Sequence, residues 1–407
     1  MINLGVLGNG ALATVDDRGV VTTGDLSLDW WVGADDRWHV PATEATTRQR
    51  RVGPAPVTET FVRVPGGEVV HRAYGAATAS GAMTVVEVEN ASPVPLTVAL
   101  VVRVERRGRV EIDGPVVRVD GAPVMVASRP ARAWATGPAV AEVVMRGDAR
   151  TGPVDVHVAP VEIALLFPVP HRTCVRAAFG DVRADDPTAV RDLPDAGAVA
   201  RGWERQLERG LQAQLPAPVG ESVDAARADL LLLSKREPDV VAALEDWGFD
   251  HEAALGWAGL GWRARRRAHR RVHDADPWAA VRATDARLDP AGFLSALRRV
   301  LVREQPAAIE LLPGFPADWL GQSLTAESLP LHAGPVSFAV RWHGARPALL
   351  WEAPSGVALR APGLDPAWAS NECAGEVLLS EPPMSLLPMG TQARSAGEPV
   401  DAPGQFS

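Results

Sequence analysis

The spacing of apolar residues changes period twice along this chain, and that change limits the possible folds more than any motif does. From residue 1 to about 190, apolar and polar residues alternate in short runs: "VTETFVRV", "GEVVHRAY", "GAMTVVEVEN", "VPLTVALVVRVE" and "RVEIDGPVVRVDGAPVMV". Pro-Gly-Gly, Asn-Ala-Ser-Pro and Asp-Gly turns cut them. A period of two buries one face of an extended strand, and such turns close antiparallel hairpins. Two sheets of this kind face to face make a β-sandwich. From Ala198 the interval lengthens. Val199, Trp203, Leu207 and Leu211 recur every four residues, and Val223, Ala226, Leu230 and Leu233 resume helical spacing after Pro216 and Pro218. Further helices are expected over Asp239–Trp247, His251–Arg271, Pro277–Ala286 and Pro290–Glu304, five or six in all. Strands return after Gln305 in "GPVSFAVRWHG", "PALLWEAP" and "GVALRAPG". The expected organisation is a multidomain β and α chain. An antiparallel β-sandwich spans 1–190, a polar linker 191–197, a shortened α-helical domain 198–305 and a small β-domain 306–387, with a disordered tail over 388–407.

The 407 residues are 46% hydrophobic and 22% charged, a globular composition with length for two or three cored domains. The formal net charge of -9 repels phosphate, and nucleic-acid binding needs a basic footprint, so no nucleic-acid partner is expected. Cys174 and Cys373 lack ligand spacing and are too few for a disulfide framework, so reduced thiols are expected. "MINLGVLGNGALATV" lacks the basic start and unbroken apolar core of a secretion signal. No run approaches the roughly 18 apolar residues of a membrane span. A cytoplasmic location without a membrane partner is the expectation. Thirteen Trp stand against eight Phe and one Tyr, a bias compatible with stacking on sugars.

Two stretches carry a resemblance. "LGNGALATVDDRGVV", Leu7 to Val21, is similar to the opening hairpin of the amino-terminal sandwich in bacterial glucoamylase-like, six-hairpin glycosidases, where a Gly-Asn-Gly strand turns through an Asp-Arg-Gly tip. "FLSALRRVLVREQ", followed by "IELLPGFPADWLGQSLTAESLPLHAGPVSFAVRW" from Ile309 to Trp342, resembles a later junction in that family and in related sugar phosphorylases. There the helical barrel ends and the small β-domain begins, with a Leu-Leu-Pro, Pro, Trp, Gly succession. The resemblance implies carbohydrate chemistry and a barrel of twelve helices. At about 11 to 12 residues per helix plus loops, such a barrel needs well over 200 residues, of which 198–305 supplies about half. An incomplete α/α barrel-like domain is therefore implied, without the loops that carry the family's acid and base. The family's Trp-x-Arg-Asp substrate motif is also absent after the first helix pair, where the chain reads "ARADLLLLSKREPDVVAALEDWGFDHEAA".

Glycoside hydrolysis needs two carboxylates across the scissile bond, about 5 to 5.5 Å apart for retention or about 6.5 to 9.5 Å for inversion, with burial keeping the acid protonated. Glu245, Asp246 and Asp250 flank Trp247 in "ALEDWGFDHEA" and are the candidate catalytic carboxylates, with Trp247 as a sugar platform. The alternative is a helix end at which Leu244, Trp247 and Phe249 pack and Gly248 caps. Glu304 in "REQ" is similar to the Glu-Gln base motif of the resembled enzymes, but it adjoins the closing β-domain, where a surface ion pair is expected. "SLDWWVGADDRWHVP", Ser27 to Pro41, sets aromatic rings among carboxylates. Trp30, Trp31, Asp35, Asp36 and Trp38 are the candidate sugar-binding residues there, the alternative being that one or two of these Trp plug the sandwich.

"GWRARRRAHRRVH", Gly261 to His273, is a basic helix that leaves only Trp262, Ala264, Ala268 and Val272 to bury. Arg263, Arg266, Arg267 and Arg270 are candidate contacts for an acidic partner, the alternative being a solvated helix paired with the chain's own acids. His269 and His273 have metal-pair spacing, but the surrounding arginines oppose a dication and no metal is expected. "GNGALA", Gly8 to Ala13, fits G-x-G-x-x-A without the helix a dinucleotide needs, so no cofactor is expected. Cys174 is expected as a small core residue. The expected function is that of a glycosidase-like, carbohydrate-binding protein with catalysis lost or much reduced. Its ligand would be an oligosaccharide, and a protein partner or second copy would cover the open helical flank. The alternatives are an active hydrolase of an α-linked glucoside or oligosaccharide, and a scaffold docking through the basic helix.

Overall fold

The computed structural model describes residues 1–78, 81–137, 139–158, 160–180, 190–268 and 276–382. The expected tail 388–407 and His269, Arg270, Arg271, Val272 and His273 lie outside them.

The alternating runs are strands. Val57–Val64, Gly67–Thr78 and Gly81–Asn90 pair antiparallel in a nine-stranded sheet. Leu26–Gly33, Leu96–Val104 and Val161–Val169 form the middle of an eight-stranded sheet. The inner faces close over Leu4, Trp30, Val62, Val98, Phe167 and Phe179, side chains whose removal from water contributes about 1.5 to 3 kcal/mol each. The Asp-Arg-Gly tip joins Gly10–Val15 to Val21–Thr23, whereas Gly8 and Asn9, expected on a strand, form the turn of a preceding hairpin of Ile2–Val6 and Gly10–Val15. Its first strand passes so close to the nine-stranded sheet that a Cβ on Gly75 would meet the Gly5 carbonyl oxygen at 2.4 Å. Only glycine permits that approach.

Eight helices stand among the described residues. α1 (Val140–Arg146) lies on the outer face of the eight-stranded sheet, over Trp31, Val101 and Ala164. The others follow in the helical segment: α2 (Ala196–Leu207), α3 (Val219–Leu232), α4 (Pro238–Asp246), α5 (Asp250–Leu260), α6 (Trp262–Ala268), α7 (Pro277–Ala283) and α8 (Pro290–Leu301). α2 starts at Ala196 because the Asp195 carboxylate accepts the Ala198 N–H at 2.7 Å and caps it. The segment holds seven helices where five or six were expected. The single helix expected over His251–Arg271 breaks at Gly261, whose φ of +79° and ψ of +165° lie outside helical space.

α2 covers the outer face of the nine-stranded sheet, and α3 lies beside it against the Ile2–Val6 and Gly10–Val15 strands, in a core that joins Val57, Tyr74 and Ala76 to Ala200, Trp203 and Val223. Polar contacts pin that seam. Arg51 donates to both oxygens of Asp229 at 2.9 and 3.2 Å. Tyr74 Oη lies 2.5 Å from Glu87 Oε1 and 3.0 Å from the Pro194 carbonyl, and Arg176 sits 2.6 Å from the same carboxylate. The terminal β-segment is woven into the helical one. Gln212–Gln214, between α2 and α3, is the edge strand of a five-stranded sheet with Leu324–Leu329, Val336–His343, Arg346–Glu352 and Ala374–Leu378. Val302–Gln305, leaving α8, opens a four-stranded sheet by pairing with Ala308–Leu311. One continuous core joins Leu230, Leu244, Leu297, Phe315, Trp319 and Leu349.

Candidate binding cleft

α4 ends at Asp246, and Gly248, with φ +75°, reverses the chain into α5, whose first residue is Asp250. That tight reversal sets Glu245, Asp246 and Asp250 on the wall of a cleft of about 1140 Å³. Arg298 and Arg299 of α8 line another wall, with Glu304 and the Ser328–Pro335 region of the terminal β-segment beyond them. Trp262 and Arg266 of α6 complete the rim.

The carboxylates in this cleft have partners. Glu245 accepts the Trp257 indole N–H at 2.8 Å on one oxygen and the Arg265 guanidinium on the other. An oxygen of Asp246 lies 3.2 Å from Arg298 Nε, and Arg298 also donates to the Pro330 carbonyl at 2.8 Å. Glu304 accepts the His332 backbone N–H at 2.7 Å and lies 2.6 Å from that ring's Nδ1. A surface pairing was expected for Glu304, but its place on the cleft wall was not. Asp250 is exposed at the start of α5.

The three carboxylates named from sequence thus share one cleft, whereas the aromatic candidates do not join them. Trp30 is fully buried between the sheets, stacked on His71 at 4.9 Å, with its N–H donated to the Arg18 carbonyl. Trp31 is buried under α1 and donates to Asp29, whose same oxygen accepts Arg103 at 2.9 Å. Trp247 is buried and donates to the Leu294 carbonyl at 3.0 Å. With their faces sealed, these three rings cannot stack on a sugar, and that part of the expectation is corrected. Trp38 is half-buried, its ring against Gly33. Asp35 and Asp36 are exposed, and a hydrogen bond from His39 at 3.0 Å holds the Asp36 carboxyl below its usual range. None of these sandwich residues lines the cleft.

The basic helix departs from expectation at Trp262, which is 66% exposed instead of buried. Arg263 stacks over its ring at 5.5 Å, Arg267 is exposed and Arg266 faces the cleft. Cys174, expected in the core, is exposed at the start of its strand. Sequence reasoning missed Trp262, Arg298 and His332 as neighbours of the carboxylates. A signal for Trp262 existed in its position directly after Gly261, where a broken helix would turn the ring outward. Arg298 and His332 are brought in from distant segments and carried no local mark. Among the described residues no group of three or more His, Cys, Asp or Glu could hold a metal ion, and no helix is long and apolar enough to cross a membrane.

No protein-family model and no curated protein matches the chain. Among solved structures it is similar to a bacterial glucoamylase complexed with acarbose, at a TM-score of 0.39 and 7% identity. The match covers 63% of this chain and 52% of that one, so the chain spans about half the length of the glucoamylase. A likeness of this size carries no argument about activity.

Proposed function

We propose that the cleft binds an oligosaccharide and leaves it uncleaved. The observation behind the reading is Trp262, an indole 66% exposed at the rim of the cleft, with Asp250 and Arg266 on the same lining. The indole face opposite Arg263 accommodates sugar C–H groups, and a carboxylate and a guanidinium accept from and donate to hydroxyls. Ligand pockets commonly measure about 300–1,000 Å³, and the cleft reaches about 1140 Å³, room for more than one sugar ring. Carbohydrate is favoured over other polar ligands by the order of the segments. Sandwich, helices and terminal β-segment follow the order of the six-hairpin glycosidases resembled by Leu7–Val21 and Ile309–Trp342.

Loss of hydrolysis is supported by how the carboxylates are engaged. Cleavage needs one carboxyl that delivers a proton and a second that faces the anomeric carbon or a water. Here Glu245 and Asp246 are bound by Arg265 and Arg298, and Glu304 by His332. The shortened helical segment fits the same reading.

A thermal-shift panel of oligosaccharides tests it, because ligand at a hundred times its dissociation constant adds about 2.7 kcal/mol of stability. Chromatography of the stabilised mixture should recover the sugar intact. Shorter products, abolished by Asp246→Asn or Asp250→Asn, would establish the hydrolase instead, and a flat panel would remove the carbohydrate reading. A flat panel would also bring forward docking of an acidic partner on α6, which the exposed Arg263 and Arg267 favour. The double charge reversal Arg263→Glu, Arg267→Glu would then abolish partner recovery.

A further inference from the structure

We infer that Glu245 is a positioning residue, a latch that holds α6 at the rim so that Trp262 and Arg266 stand over the ligand. The inference rests on the cleft being the ligand site. Seven residues of α6 are described, and none of them is buried. Its apolar contact with the core is through the half-buried methyl groups of Ala264 and Ala268. Two methyl groups remove little area from water. Gly261 joins it to α5 in a backbone conformation favoured by glycine, with open space where a side chain would stand. A second groove of about 580 Å³, lined by Ala254, Ala258 and Trp262, lies between α5 and α6 and gives α6 room to tilt.

Glu245 bridges the fixed and the adjustable parts. One oxygen accepts from Trp257, a ring 8% exposed and packed in the core, and the other binds Arg265 on α6. The Arg265 guanidinium also lies 6.0 Å from the Trp257 ring centre. A carboxylate oriented by a buried indole therefore fixes an α6 arginine that reaches back to the body. This arrangement gives one of the three candidate catalytic carboxylates a conformational role instead.

Trypsin tests this directly, because α6 carries Arg263, Arg265, Arg266 and Arg267 and a helical backbone must open locally before it is cut. Glu245→Ala should raise the rate of cleavage within residues 263–268, mapped by mass, about threefold to fivefold, the size expected for losing a half-exposed ion pair. Its melting temperature should fall by only a few degrees, because the Trp257 N–H loses its acceptor while the core packing is unchanged. Glu245→Gln, which keeps one acceptor oxygen and loses the charge and the second acceptor, should fall between the two and serves if the alanine variant folds poorly. Cleavage of Glu245→Ala and Glu245→Gln at the wild-type rate would overturn the latch. Maltooligosaccharide should slow cutting of the wild-type chain. Faster cutting of the variants with no protection by sugar would leave the latch standing and remove the carbohydrate reading.

Discussion

Trp30 and Trp31 are adjacent in sequence and point to opposite faces of one strand, so each is buried by a different layer. Beside them, Asp29 is explained by the need of a buried indole for an acceptor, since it takes the Trp31 N–H and is neutralised by Arg103. Aromatic rings next to acids read equally well as a sugar patch or as a satisfied core. The choice depends on strand pairing, which local composition does not contain. Trp30 also accounts for a titration. His71 stacks on it, fully buried, with neither ring nitrogen hydrogen-bonded, and burial pushes its pKa from 6.5 down to about 3. The unfolded chain takes up this proton near pH 6.5, and the folded one holds it off until about pH 3. The stability that depends on a neutral ring is therefore intact above pH 6.5 and falls as pH drops toward 3. Between pH 7 and pH 5 this group alone should cost about 2 kcal/mol, read from urea midpoints. His71→Leu should flatten that dependence, and an undiminished decline in the variant would contradict the assignment.

Elements were legible where their physics is local. The runs "VTETFVRV" and "GAMTVVEVEN" are the strands Val57–Val64 and Gly81–Asn90 without a residue's difference. The four-residue spacing of Val199, Trp203 and Leu207 lies within α2. Two elements escaped for physical reasons. The α5 to α6 break depends on one glycine inside an otherwise helical pattern, where a helix often continues. Gln212–Gln214 has no apolar alternation of its own and is a strand because Leu324–Leu329 supplies its partner. The cleft was half legible, since Glu245, Asp246 and Asp250 lie within six residues of one another while Glu304, Arg298 and Arg299 come from distant segments. Between elements, the clearest energetic statement concerns the seam of sheet and helix. Arg51 and Asp229 are both largely buried, so Arg51→Ala leaves a carboxylate buried without its cation. Chemical denaturation should show a loss of about 3 to 5 kcal/mol, whereas a loss below about 1 kcal/mol would mean that water reaches Asp229.

At the scale of the whole molecule, the sandwich interior is a core of its own, whereas the helical and terminal β-segments share theirs with each other and with the outer face of the nine-stranded sheet. The β-segment is therefore a structural part of the helical unit. A chain ending after Leu301 should keep its β-sheet circular dichroism and the helical signal of α1 and α2 but lose most of the rest, because Leu311, Phe315, Trp319 and Leu349 would no longer cover α3, α4 and α8. Retained helicity would show that the helices stand alone. The shared core also places the cleft at the junction, with walls from both segments. Its role is tested most directly by isothermal titration of maltooligosaccharide into the wild-type chain and Trp262→Ala, a change at an exposed side chain that should leave the fold intact. Saturable binding to the wild type, weakened about tenfold or more in the variant, is the result expected if Trp262 is the sugar platform, since stacking contributes on the order of 1 to 3 kcal/mol. Equal affinity in the two proteins, or no heat in either, would contradict it.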